Sequence, residues 1–319
     1  MTRSMKPWLL LPSLLLITAC QSMRKAPTRE AGAPDATPSP HGPVIQTPEP
    51  TMAPIETPAN QAAPTETAPV AVNLKKPRLS IVLGAGGLRA YAHAGLIQEL
   101  VKAKIPIFAI AGLETGAIPA ALFAMKGQPF EPEWQMMKLK DDDWLQKGLL
   151  SGPSPKKAGD FSGSLSLMYG GAKAEDAKIP FVCPSYSSGK KQTFMMNRGP
   201  FAQMLLYCLP SLPLFEDQQG SGANPVALAQ VVQTLKQKGT QLVVYIDLLA
   251  DNPLPLNESG MMWGVYQSAL QADFSKVNEV VKVSGLGGFR DFGRRREMLQ
   301  KGQEAGRRLV QVLQTKYGF

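Results

Sequence analysis

Five residues of this chain, Gly112-Leu113-Glu114-Thr115-Gly116, follow directly on an apolar strand-like run and carry the spacing of a catalytic turn. In a strand-to-helix turn of the form G-x-S-x-G, the flanking glycines admit a cramped backbone that lifts the middle side chain to the top of a sheet. Here the middle side chain is a carboxylate. A serine at that apex attacks an acyl carbon once a base takes its proton and an oxyanion hole receives the developing charge. Glutamate attacking an ester gives an anhydride, a poor route for an unactivated substrate, and loss of the nucleophile alone removes about six decades of kcat in a serine hydrolase.

Upstream, after Leu79-Ser80-Ile81-Val82-Leu83, the chain reads Gly84-Ala85-Gly86-Gly87-Leu88-Arg89, then a helical pattern with Leu96, Ile97 and Leu100 on one side. Such a loop points backbone N–H groups at an anion. Glycine-rich turns also serve nucleotides. The next strand, Ile105 to Ala111, runs straight into Gly112, too soon for a dinucleotide fold to place its ribose-binding acid.

Together the two motifs resemble the patatin-like phospholipases, acyl hydrolases with a Ser–Asp dyad. The resemblance runs over most of the chain beyond residue 75. Pro180-Phe181-Val182-Cys183-Pro184, with Gly189 and Phe194, resembles the family's central strand and hairpin. Cys208 to Phe215 resembles its helix end and Pro-Phe turn, Gly220 to Val226 the loop that begins with the dyad aspartate, and Val243 to Asp247 the next strand. What this implies is an α/β protein with a three-layer α/β/α patatin-like fold, a mostly parallel central sheet, and an oxyanion loop over Gly84, Gly86, Gly87, Leu88 and Arg89.

The departures fall on the dyad. The nucleophile position is Glu114 and, aligned on Asn224-Pro225, the aspartate position is Gln219, with Asp217 the nearby carboxylate. Thr115 has a hydroxyl, but one step around a helix start turns a side chain by roughly 100°, so a cap on the helix is its expected role. His93 reads as a core histidine; with His41 as the other histidine, in a proline-rich stretch, a Ser-His-Asp triad is excluded. For Glu114 two readings stand. Either its carboxylate fills the vestigial oxyanion hole, on the amides of Gly86, Gly87 and Leu88, and lowers its own pKa, or it points to solvent under the helix dipole.

Arg3 and Lys6 precede the apolar run Trp8 to Ile17, too short for a permanent span, and Ile17-Thr18-Ala19-Cys20 follows. This resembles a bacterial lipobox. It implies a signal peptide over 1–19, acyl chains on Cys20 sufficient for stable anchoring, and, from Gln21, the outer membrane of a Gram-negative envelope, facing the periplasm. Over Ala26–Val70 nearly a quarter of positions are proline with almost no large apolar residues. That composition cannot offset its ordering entropy, so residues 20–74 read as a disordered tether reaching on the order of 100 Å.

Residues 75–319 amount to one α/β domain by length. Strands are expected at Leu79–Leu83, Ile105–Ala111, Phe181–Cys183, Gln241–Ile246 and Glu279–Val283. Residues 126–178 read as helices and loops capping the site, with Trp134, Trp144, Met136 and Met137 either packing that cap, the favoured reading, or lining an apolar groove for acyl chains. The chain carries 34 basic and 25 acidic side chains, a net charge of +9. The excess gathers in Arg290, Arg294, Arg295, Arg296, Lys301, Arg307 and Arg308 beside an apolar stripe, as in a terminal helix with a solvated basic face suited to anionic headgroups. Export argues against nucleic acid. Cys183 and Cys208, one in a strand and the other near a helix end, are expected as two buried thiols. No metal-ligand cluster and no cofactor motif is present. Three functions fit: an inactive pseudo-phospholipase that binds a fatty-acyl ligand or envelope protein, an active acyl hydrolase with a non-standard site, and a structural envelope lipoprotein.

Overall fold

The computed structural model describes residues 76–148, 152–251 and 260–319, all within a unit spanning 69–319. The expected leader, Cys20 and the tether lie outside the described residues.

A seven-stranded sheet forms the middle layer. Its strands are β1 (Leu79–Leu83), β2 (Ile107–Gly112), β3 (Phe181–Ser187), β4 (Gln192–Met196), β5 (Ser221–Ala223), β6 (Leu242–Asp247) and β7 (Glu279–Lys282). The order is β7-β6-β1-β2-β3-β4, with β5 on β3; the first five are parallel, and β4 and β5 pair antiparallel with β3. β1 and β6 are buried along their whole length and are apolar apart from Ser80 and Asp247, as suits strands covered on both faces.

Alternation assigns each strand residue to one of two cores. Leu79, Ile81, Leu83, Val244 and Ile246 join one, Val82, Val243 and Tyr245 the other. The first core takes helices α1 (Tyr91–Lys102), α2 (Ala117–Lys126), α3 (Glu131–Lys138), α4 (Ser162–Tyr169), α5 (Phe201–Cys208) and α8 (Arg295–Tyr317); the second takes α6 (Leu228–Gln237) and α7 (Gly260–Ala272). Three layers, α/β/α, result.

Several expectations need correction. The second strand starts at Ile107, because Lys104 takes a positive φ of 56° and turns the chain before Ile105. Cys183 and Cys208 are joined in a disulfide with Cα atoms 6.0 Å apart. The start of β3 and the end of α5 meet in the first core, so a strand position and a helix-end position are neighbours after all. The 126–178 segment packs on α1, α2 and α5, with Met136 and Trp144 fully buried and Trp144 against Phe161 at 5.2 Å. Trp134 is 63% exposed.

Helix α8 crosses α1 at very short range. A Cβ at Gly302 would collide with the Ala92 carbonyl, whereas one at Gly163 in α4 would meet nothing within 4 Å. Gly302→Ala is therefore expected to lower stability by about 2 kcal/mol or more in denaturant titrations, while Gly163→Ala raises it by up to about 1 kcal/mol. Removing the disulfide, with a sequence separation of 25, should lower stability by about 3 kcal/mol, read as a fall in the unfolding midpoint of Cys183→Ala/Cys208→Ala.

Candidate active site

β1 and β2 end side by side, and both glycine motifs emerge from their carboxyl ends. Leu113 N donates to Leu83 O at 2.9 Å and Gly84 N to Ile246 O at 3.0 Å, which fixes the two turns against the sheet. At Gly112 a Cβ would strike Ala117 backbone, and at Gly116 it would lie 2.6 Å from the Leu83 and Gly84 carbonyls. Only glycine lets the helix start press so closely on the strand ends. Between them Glu114 stands at φ 51°, the left-handed conformation of a nucleophile elbow.

The Glu114 side chain is fully buried. Its Oε2 accepts from Gly86 N at 3.0 Å and Gly87 N at 3.1 Å. The carboxylate thus occupies the seat that two preorganised amides would offer an oxyanion, and it does not point to solvent. Leu88 is no part of the cradle: its amide donates to Phe289 O at 2.9 Å. Thr115 Oγ1 lies 2.6 Å from Glu114 Oε2 and 2.8 Å from Gly87 O. It caps no helix; it ties the elbow to the glycine loop. Glu114 Oε1 is buried without a hydrogen-bond partner.

Burial pushes the Glu114 carboxyl above its ordinary range, against the pull of the Thr115 hydroxyl and the amides of Gly86 and Gly87. Desolvation outweighs those hydrogen bonds, so the shift runs opposite to the expected lowering. His93, also fully buried, is pushed down to about 4 by the same effect; its Nε2 donates to Gly84 O at 2.8 Å and its Nδ1 is unpaired. It remains the core histidine expected from sequence.

Gln219 lies in the turn before β5, which pairs with the carboxyl-end residues of β3. It is exposed at the tip of a hairpin closed by Gln218 N to Ser221 O at 2.7 Å and Ser221 N to Gln218 O at 2.9 Å. Gln219 and Gly220 both take positive φ, 51° and 71°, as a two-residue loop of this type requires. Asp217 is exposed nearby. Neither makes a hydrogen bond to the elbow.

What covers the glycine loop was not read from sequence. Arg89, fully buried, donates Nε to Gly287 O at 2.9 Å and Nη1 to Leu248 O at 2.8 Å, pairs with Asp251 at 3.1 Å, and lies over the Phe289 ring at 4.2 Å. Trp263 of α7 stacks on Phe289 at 4.6 Å, and Tyr266 packs edge-on against Trp263. The signal available was Gly285-Leu286-Gly287-Gly288, a glycine cluster following a parallel strand at the same sheet edge as the elbow. Among the described residues, no group of three or more His, Cys, Asp or Glu could hold a metal ion.

Residues 81–216 match the family model described as patatin-like phospholipase. Over those residues the chain is patatin-like. Uncharacterized NTE family proteins of Mycobacterium bovis and Mycobacterium tuberculosis are 40% identical over 145 residues, which is 42% of this chain and 38% of theirs. The match therefore spans well under half the length of these curated relatives. Among solved structures, VipD from Legionella pneumophila aligns with a TM-score of 0.47 at 9% identity, covering 75% of this chain and 67% of that one. The type III effector protein ExoU aligns with a TM-score of 0.36 at 15% identity, over 75% and 54%. As a patatin-like protein this chain has a lipid hydrolase fold whose elbow carries Glu114.

A raised carboxyl pKa favours the folded state while both states are protonated, and that stability is lost as pH climbs from the ordinary glutamate range through the folded value. Glu114→Gln removes the titration. The unfolding temperature of the variant should match wild type at acidic pH and exceed it by a margin that widens as pH rises. A margin of the opposite sign would mean that the buried carboxylate is the favoured form.

Proposed function

We propose that this patatin-like protein is an inactive, lipid-anchored pseudo-phospholipase that uses its relic pocket to bind a fatty-acyl ligand or an envelope partner. One observation carries the loss of activity: Glu114 both removes the hydroxyl and sits on the amides of Gly86 and Gly87. A substrate carbonyl has neither an attacking alcohol nor a free oxyanion seat. Gln219, at an exposed hairpin tip, offers no base in compensation.

A second reading, an active acyl hydrolase, draws on the Thr115 hydroxyl 2.6 Å from a carboxylate. Thr115 is fully buried and also engages Gly87 O, so an attacking Thr115 would have to leave the contact that joins the two turns. The pseudoenzyme reading is the simpler one.

For the anchor, the supporting features are Leu14-Leu15-Leu16-Ile17-Thr18-Ala19-Cys20 and the proline-rich stretch after it. The Cys183–Cys208 disulfide agrees with export, since such bonds persist in oxidising compartments. No helix among the described residues is long and apolar enough to cross a membrane. In this reading, residues 1–19 are a signal peptide, Cys20 carries palmitate and other acyl chains, 20–74 tether the domain, and the outer membrane holds it facing the periplasm.

Purified wild-type protein should give no covalent adduct with a fluorophosphonate probe and release fatty acid from phospholipid vesicles no faster than buffer. Labelling at any residue of the elbow, or release well above buffer, overturns the inactive reading. Separately, labelled palmitate should enter the wild-type chain in cells and be absent from Cys20→Ala.

A further inference from the structure

The strands β1, β2, β3, β6 and β7 run parallel, so their first residues share one edge of the sheet, opposite the edge that carries Glu114. The segments that lead into those strands are basic. Lys76 precedes β1, Lys102 and Lys104 precede β2, Lys178 precedes β3, and Lys236 and Lys238 precede β6, all exposed and none in an ion pair. Acids at this edge are held by lysines of their own: Glu131 by Lys126 at 2.7 Å, Asp273 by Lys276 at 2.7 Å, and Glu279 by Lys316 at 2.6 Å. Asp176, two residues from Lys178, is exposed.

Two aromatic rings join the lysines. Helix α2 starts at the elbow and ends at Lys126 on the basic edge, where a Cβ on Gly127 would meet Lys178 Cδ at 3.8 Å. Phe130 and Trp134 follow, 64% and 63% exposed. Lysines in the last turn of a helix have a local cause, the helix dipole, but the dipole does not call for exposed aromatics beside them. Cations with interfacial aromatic rings are the composition of a surface that meets a membrane. The chain's own amino-terminal segment enters this edge at Lys76, and its first 20 residues carry the anchoring signal.

We propose that the amino-terminal edge of the sheet docks on a bilayer of anionic lipids, the lysines meeting headgroups and Phe130 and Trp134 entering the interface. This rests on the lipid-anchor reading for the source of the bilayer, while the charge and the rings belong to the folded domain itself.

The test uses the chain from residue 20 onward carrying Cys20→Ala, so that neither an acyl chain nor the apolar leader contributes, and sedimentation with vesicles of phosphatidylcholine alone or with 30% phosphatidylglycerol as a chosen composition of about a third anionic lipid. Partitioning onto the anionic vesicles should exceed that onto neutral ones and fall as salt rises. Changing Lys102, Lys104, Lys178 and Lys238 to Gln should reduce it at least about tenfold with unfolding temperature unchanged. Phe130→Ala/Trp134→Ala should reduce the binding that survives high salt. The control is Arg296→Gln/Arg308→Gln on the exposed face of α8. Equal binding to both vesicles, an unaffected quadruple variant, or a loss confined to the α8 control overturns the proposal. Absence of palmitate on the wild-type chain would overturn the anchor while leaving the vesicle result to decide the docking edge.

Discussion

A carboxylate with no accessible surface has to be held by something, and at the apex of this elbow the holders are two backbone amides and one hydroxyl. Gly86 N, Gly87 N and Thr115 Oγ1 all converge on a single oxygen of Glu114. For that to happen the elbow must take a left-handed apex, the glycine loop must turn its amides inward, and both must be pinned to the ends of neighbouring strands. The same constraints that would build a hydrolase site here build an occupied one. The scaffold accepts a carboxylate at this apex without rearrangement, because an oxyanion hole is by design a seat for negative charge.

The pin on the glycine loop comes from the far side. Arg89 gives its guanidinium to Gly287, Leu248, Asp251 and the Phe289 ring, and Leu88 gives its amide to Phe289. Two segments distant in sequence, Leu248–Asp251 and Gly287–Phe289, are thereby tied over the loop, leaving the amides of Gly86 and Gly87 for Glu114. A buried cation spread over a carboxylate, two carbonyls and a ring holds a geometry well, because losing any one partner exposes a charge that has nowhere else to go.

Much of this was legible beforehand. Strands made mostly of apolar residues, such as Leu79–Leu83 and Leu242–Asp247, announce a sheet buried on both faces, and the glycine spacing around Glu114 fixes a turn that few backbones can make. What escaped depends on tertiary neighbours. Cys183 and Cys208 meet because β3 and α5 share a core, which spacing alone does not reveal. The direction of the Glu114 pKa turned on its full burial, visible only in three dimensions. The positive φ of Gln219 at the tip of its hairpin is set by pairing across that turn. The partners of Arg89 lie some 160 to 200 residues downstream.

The elbow and Lys76 stand at opposite ends of β1, a strand of five residues that spans roughly 16 Å at 3.3 Å per residue. A domain held down by its amino-terminal side would turn the elbow's end of the sheet toward open water. Any greasy molecule arriving there would have to come as cargo, already lifted out of a bilayer, and not as a lipid plucked from the leaflet underneath.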